Sequence, residues 1–294
     1  MGVRALGAFS GGLDGMLAAL VLQAQGIEVE LATFSSPFFT PESGRQGAHQ
    51  LELPWREIPF DNEMINLLRR APSGFGKNLN PCIDCHAGMF KVLGKIAQDE
   101  EFDIIFTGEV AGQRPMSQNK NSLNRVARLS GTGDILLRPL SAKLLRATMP
   151  EKTGLIDRER LLGFSGRSRK PQMKLAEEYG IRYKNPAGGC LLTDPNYCGR
   201  LKIIMEIPGL LTPRNARMIK YGRLFRLSED TICLVGRSQK DNEMLESLVE
   251  EEIIYALEDR PGPTGVIIGN PEMLPELIHL VKKYAGARSD NVTL

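Results

Sequence analysis

The chain has 294 residues, 42% of them apolar and 24% charged, with a formal net charge of +2. That is the composition of a globular protein of roughly two domains, and its charge balance does not by itself announce a nucleic-acid binder. No apolar run approaches the roughly 18 residues of a membrane span, and the apolar segment near the N-terminus is too short for a secretory signal, so a cytoplasmic protein is expected. The five cysteines, an odd and sparse set, argue against a disulfide framework.

In chain order, RALGAF (residues 4–9) reads as a short buried strand. From Asp14 a helix is expected, with Met16, Leu17, Leu20, Val21 and Leu22 at helical spacing and an end at Gly26. IEVELATF gives a second strand, so some thirty residues hold a βαβ unit, which implies a parallel sheet. FDIIFTGE (102–109) and DILLRPL (134–140) read as two further strands ending in loops. AGMFKVLGKIAQDE and RKPQMKLAEEYG carry helical patterns. These elements predict a doubly wound α/β domain over residues 1–195. Beyond it the pattern changes to a short helix, two strands joined at SED, a helix, a glycine-flanked strand and a closing helix. That is an α+β module over residues 196–294.

Between the first strand and first helix stand Ser10, Gly11, Gly12, Leu13 and Asp14. Small residues let successive backbone N–H groups converge, and a helix N-terminus adds its positive end, which together form an anion-binding layout. Ser10 can donate a hydroxyl. Asp14 can hold Mg²⁺ or cap the helix; a plain tight turn with an Asp cap uses the same residues. Position favours a ligand, because α/β sheets bind at the ends of such strands.

SGGLDG resembles SGGxDS, the pyrophosphate loop of PP-loop ATP pyrophosphatases, which cleave ATP between its α and β phosphates. It lacks the lysine of a Walker-type loop, and Gly15 stands where that family has serine. TGEVAGQRPMSQNKNSL (107–123) is similar to the TGExxGQ segment of thiouridine synthetases of the ThiI type, and LRPLSAK (137–143) to the strand end that follows there. The resemblance implies an ATP site made by Ser10, Gly11, Gly12, Leu13, Asp14, Phe34, Gly108 and Glu109, with Lys143 facing the reacting phosphates.

NPCIDCH (80–86) is similar to the NPxxxCN element of MnmA-type tRNA 2-thiouridylases. Cys85 takes the catalytic cysteine's place, His86 replaces asparagine, and Cys82 is an addition that makes CxxC. A thiol near a helix N-terminus has its thiolate stabilised. Cys190, in NPAGGCLLTD, is the third candidate, with glycines before it that permit close backbone approach. By resemblance two chemistries follow. Cys85 or Cys190 carries a persulfide while the other resolves it. Alternatively Cys82, Cys85 and Cys190 ligate a 4Fe–4S cluster, as in thiouridylases of the TtuA and NcsA type. CxxC is unnecessary for the first and natural for the second, so the cluster is favoured. A structural zinc site using Cys82, Cys85, His86 and Cys190 or Cys198 ranks third. Cys198 and Cys233 read as fillers of apolar niches.

RNARMIKYGRLFRL interleaves Arg214, Arg217, Lys220, Arg223 and Arg226 with Tyr221 and Phe225, a mixture suited to phosphate contact and base stacking on RNA, or to the solvated face of a helix and edge strand. The last hundred residues resemble an NFACT-type RNA-binding module. Arg167, Arg169 and Lys170, before a helix, occupy the place where related enzymes present basic residues to tRNA, and a surface helix cap explains them equally well. Together these resemblances imply an ATP-dependent tRNA thiouridylase that takes ATP, Mg²⁺, tRNA and a sulfur donor, either sulfide or a persulfide carrier. Two rivals share the sequence: a PP-loop ligase or sulfur transferase acting on a small molecule, and an RNA-binding protein with an inert ATP domain.

Overall fold

The expected βαβ unit is Arg4–Ala8 (β1), Leu13–Gln23 (α1) and Glu28–Ser35 (β2), with β1 and β2 parallel from Arg4↔Glu28 to Ala8↔Ala32. The computed structural model describes residues 2–183 and 189–286. By its contacts the chain divides into Met1–Gly189 and Cys190–Leu294. The division falls after Gly189, against the expected break at 195/196.

In the first unit β2 leads through Glu42–Gln50 (α2) to Trp55–Pro59 (β3), and through Asp61–Arg69 (α3) and Cys82–Asp99 (α4) to Ile104–Thr107 (β4). Lys120–Ser130 (α5) then leads to the two-residue strand Leu136–Leu137 (β5), followed by Met149–Lys152 (α6) and Lys170–Tyr179 (α7). All neighbouring strands are parallel, in the order β3-β2-β1-β4-β5.

Alternation along the strands serves two faces. Ala5, Val29, Leu31, Ile104 and Phe106 enter one cluster with Leu13, Met16, Leu17 and Val21 of α1 and Ala176 of α7. The alternate residues Leu6 and Ile105 are equally buried, and α4, which packs on β1 and β4 and against α3 and α5, covers that face. Burial on both sides is what a parallel sheet requires. The predicted doubly wound architecture is the one observed. The chain leaves β1 toward β2 and β3, then returns across to β4, so the order reverses between β1 and β4. Ligands of open α/β sheets bind at such a reversal, outside the carboxyl ends of the strands.

The second unit carries Pro195–Glu206 (α8), Pro213–Met218 (α9), Arg223–Arg226 (β6), Ile232–Val235 (β7), Gln239–Leu248 (α10), Ile253–Tyr255 (β8), Gly265–Ile268 (β9) and Leu274–Gly286 (α11). Its sheet is antiparallel in the order β6-β7-β9-β8. Cys233, Val235, Ile267, Leu277 and Val281 form its core beneath α11. Among the described residues no helix is long and apolar enough to cross a membrane.

Candidate active site

The segment Ser10–Asp14 lies where the strand order reverses. Gly11 adopts φ +74°, and a Cβ there would lie 1.9 Å from the Ser43 carbonyl oxygen of α2. Only glycine lets the turn pass this close to the neighbouring helix. Gly12 is the N-cap of α1 and contributes no side-chain cap, so the first-turn N–H groups have no intrahelical acceptor and face outward for an anion. Ser10 and Gly12 are exposed, while Leu13 is buried in the core and anchors the turn.

Gly108, at the end of β4, sits against this turn. A Cβ there would come within 2.4 Å of the Gly15 nitrogen and 2.5 Å of the Asp14 carbonyl carbon. Gly108 is thus the contact between β4 and the start of α1. Gly108→Ala is expected to cost about 3 kcal/mol by overpacking against backbone that cannot rotate away, read as a lowered melting temperature. Gly15, the departure from the motif serine, faces Phe9: a Cβ would meet the ring edge at 3.0 Å. The missing hydroxyl goes with the bulk of Phe9.

Asp14 joins a polar chain. Its Oδ2 accepts from Gln113 Nε2 at 2.7 Å and lies 3.6 Å from Arg169 Nη2. Gln172 Nε2 donates in turn to Gln113 Oε1 at 2.9 Å. Ser141, fully buried, holds the surrounding loops together: its hydroxyl donates to the Phe164 carbonyl at 2.7 Å and accepts from the Ala111 N–H at 2.9 Å. An isolated parallel bridge, Ala111↔Ser165, brings the chain after TGE alongside the one leading to Arg169. Gln113, Ser141 and Gln172 were not picked out from sequence. Gln113 and Ser141 lie inside the quoted motifs, but Gln172 carries no local signal.

The thiols lie on α4. Cys82 and Cys85 occupy its first turns, three residues apart and therefore on one face. Asn80 Nδ2 donates to Cys82 Sγ at 3.2 Å, and Cys85 is buried. Asp84 ties this end down by accepting from the Ser73 N–H at 2.8 Å and the Ser73 hydroxyl at 2.6 Å.

Beside Cys85, His86 Nδ1 stands 2.8 Å from Glu109 Oε1, and Arg138 Nε donates to Glu109 Oε2 at 2.9 Å. Glu109 is 4% exposed and Arg138 6%. Burial alone raises the Glu109 pKa, but the Arg138 charge and the His86 contacts outweigh it and hold the carboxyl at about 2. An ionised carboxylate only accepts, so Nδ1 carries the proton of this contact. One triad, buried at Glu109 and Arg138 and half-buried at His86, therefore links the three motifs NPCIDCH, TGE and RPL. Both Glu109 oxygens are engaged within it.

The remaining predicted residues are spread more widely. Phe34 is buried edge-on against Phe60, with ring centroids 5.4 Å apart. Lys143 Nζ donates to the Glu159 carbonyl at 2.7 Å and its carboxylate at 3.3 Å. Cys190 opens the second unit. Of the glycines expected to flank it, Gly188 lies outside the described residues. Among the described residues no group of three or more His, Cys, Asp or Glu side chains is arranged to hold a metal ion. Cys198 and Cys233 are buried, as expected of fillers, and burial pushes the Cys233 thiol up to about 12.

In the second unit, internal partners take up much of the basic segment. Arg214 pairs with Glu250 and Glu252, Arg226 with Glu206, and Arg200 donates to the Tyr221 and Gly222 carbonyls. Arg223 lies over the Tyr284 ring, and Phe225 packs on the same ring at 5.9 Å. Phe225 is half-buried and packs against the core of this unit.

Residues 222–293 match the family model of the NFACT protein RNA binding domain. The chain is 25% identical over 219 residues to the tRNA-specific 2-thiouridylase MnmA of Geotalea uraniireducens, covering 66% of this chain and 55% of that protein. It is 26% identical over 140 residues to a protein of Oceanobacillus iheyensis described as "Probable tRNA sulfurtransferase", covering 45% of this chain and 33% of that one. A solved 4-thiouridine synthetase–RNA complex with bound ATP aligns with a TM-score of 0.41 and 18% identity, over 60% of this chain and 51% of that one. The chain thus spans about half, or a third, of the length of these curated relatives.

Proposed function

We propose, for a chain of the PP-loop tRNA thiouridylase and sulfurtransferase family that carries an NFACT-type RNA-binding module, that it thiolates a uridine of tRNA at the expense of ATP. The observation that carries this reading is the Ser10–Asp14 turn at the sheet's reversal point, with the thiol-bearing helix tied to the adjoining strand end through His86 and Glu109.

In this reading a uracil carbonyl oxygen attacks the α phosphorus of ATP. The bond between that phosphorus and the bridging oxygen to the β phosphate breaks, and pyrophosphate leaves into the loop. The N–H groups at the start of α1 face the charge that develops on the leaving group, which is stabilisation by groups already in place. Adenylation turns a poor leaving group into AMP. A sulfur nucleophile then adds to the activated carbon, and the C–O bond to AMP breaks. Asp14 Oδ1 is buried and has no hydrogen-bond partner among the described residues, which suits a carboxylate awaiting a cation. Asp14 would hold Mg²⁺, which would neutralise phosphate charge.

The thiols would hold the transferable sulfur, which an external donor, sulfide or a persulfide carrier, supplies. A 4Fe–4S cluster with Cys82 and Cys85 among its ligands would offer an iron site for sulfide, and its test is iron and acid-labile sulfide in anaerobically purified protein, about four of each per chain. Metal-free protein carrying sulfur on Cys85 supports the persulfide route in its place. The NFACT-type module would bring tRNA to the first unit.

The activity test is pyrophosphate release together with thiolated nucleoside in digested tRNA. Both are expected to need ATP and tRNA, and Asp14→Asn is expected to lower both about 100-fold, the scale of one lost electrostatic contact to the transition state. Pyrophosphate release that depends on a small acceptor and ignores tRNA would move the assignment to a small-molecule ligase. No turnover at all would leave an RNA-binding protein.

A further inference from the structure

We propose that Arg169 is the side-chain cation of the polyphosphate site, and that Gln113 and Gln172 set its position. The inference rests on ATP being the substrate, and it gives Arg169 a different role from the tRNA contact suggested by its place in RSRK. Of the basic residues there, Arg167 and Lys170 are exposed, whereas Arg169 is half-buried and turns toward Asp14. Lys143, the cation expected from sequence, is engaged by Glu159.

Three atoms of this one chain of contacts are buried without a hydrogen-bond partner among the described residues: Asp14 Oδ1, Arg169 Nε and Gln172 Oε1. Gln172 is 1% exposed. Buried polar atoms are normally satisfied, and a group of orphans in one place calls for a missing ligand. The orphans are two acceptors and one cationic donor, beside a turn whose N–H groups also lack acceptors. A phosphate oxygen satisfies the guanidinium and the turn, and its accompanying cation satisfies Asp14. The 3.6 Å separation between Arg169 and Asp14 is longer than a hydrogen bond, so the guanidinium is held near the carboxylate without being consumed by it. Its planar fork suits two phosphate oxygens at once, which an ammonium does not match.

The geometry is fixed from outside the loop. The α7 helix packs on α1 and carries Gln172, whose amide holds Gln113, whose amide in turn holds Asp14. Arg169 is the residue immediately before α7, so the helix that sets the glutamines sets the cation too.

The test titrates ATP, and separately inorganic pyrophosphate, into the full-length protein by calorimetry. Arg169→Ala is expected to weaken both about tenfold or more, with tRNA affinity within about twofold of wild type. Arg169→Lys, which keeps charge and stem, is expected to recover part of the loss, and a native melting profile for it removes misfolding as the explanation. Lys174→Ala, an exposed basic change on α7, is expected to bind both as wild type does. Wild-type pyrophosphate affinity in Arg169→Ala, or a loss confined to tRNA, overturns the inference and leaves the thiouridylase reading standing. Failure of the unaltered protein to bind either ligand overturns both.

Discussion

Cys85→Ala is expected to abolish tRNA thiolation, by 1,000-fold or more on the scale of lost covalent chemistry, while ATP affinity stays within about twofold. The side chain is small and buried, and its backbone N–H continues the helix by donating to the Pro81 carbonyl at 2.8 Å. Alanine keeps that bond and the helix, so the loss would be chemical. Cys82→Ala separates the two sulfur routes. If a cluster is held, either substitution removes iron and activity together. If Cys85 alone carries sulfur, Cys82→Ala keeps most of the activity. Nucleoside mass spectrometry, ATP calorimetry and iron assay read all three quantities on the same preparations. Thiolation at the wild-type rate in Cys85→Ala would remove this cysteine from the reaction.

The parts of the fold that sequence made legible share a physical cause. β1, α1, β2 and β4 are buried elements with clean apolar runs, and SGGLD gives the turn its place. β3 was missed because WREIP is a half-exposed edge strand that ends in proline. α2 was missed because ESGRQGAHQ contains Gly44 and Gly47. Both look like helix breakers, yet a Cβ on the first would meet Thr33 Oγ1 at 2.0 Å and on the second Phe9 at 2.9 Å. Those glycines answer to packing on the sheet, which local propensity cannot reveal.

The site divides in the same way. Gly11 and Gly108 stand where a close approach of backbone demands glycine, whereas a Cβ on Gly12 would meet only the Ser10 hydroxyl, at 3.7 Å. RSRK and LRPLSAK look alike as surface charge, and nothing local in either segment shows that Lys143 meets Glu159 while Arg169 lies 3.6 Å from Asp14. The Glu109 contacts join residues 23 and 29 positions apart in sequence. No motif spacing announces an ion pair at that range.

Glu109→Gln is expected to destabilise the first unit by about 3–5 kcal/mol, because it leaves the Arg138 guanidinium buried without its counter-charge. In a unit of this size the melting temperature should fall by roughly 10 °C. The sign of the pH dependence follows from the carboxyl itself. Its pKa is about 2 in the folded state against 4.5 as the ordinary value. The stabilisation, on the order of 3 kcal/mol, is therefore fully present above about pH 4.5 and is lost as pH falls toward 2. Glu109→Gln should flatten that acid limb, which a series of denaturant melts between pH 2 and 6 would read. Replacing both partners, as Glu109→Leu with Arg138→Met, removes the uncompensated charge and should restore part of the stability. It should not restore thiolation if the triad serves the reaction, because His86 then loses the Glu109 carboxylate that its ring contacts. If the double variant were both stable and fully active, the triad would serve the fold alone; if Glu109→Gln melted with the wild type, the buried charge would have found another partner.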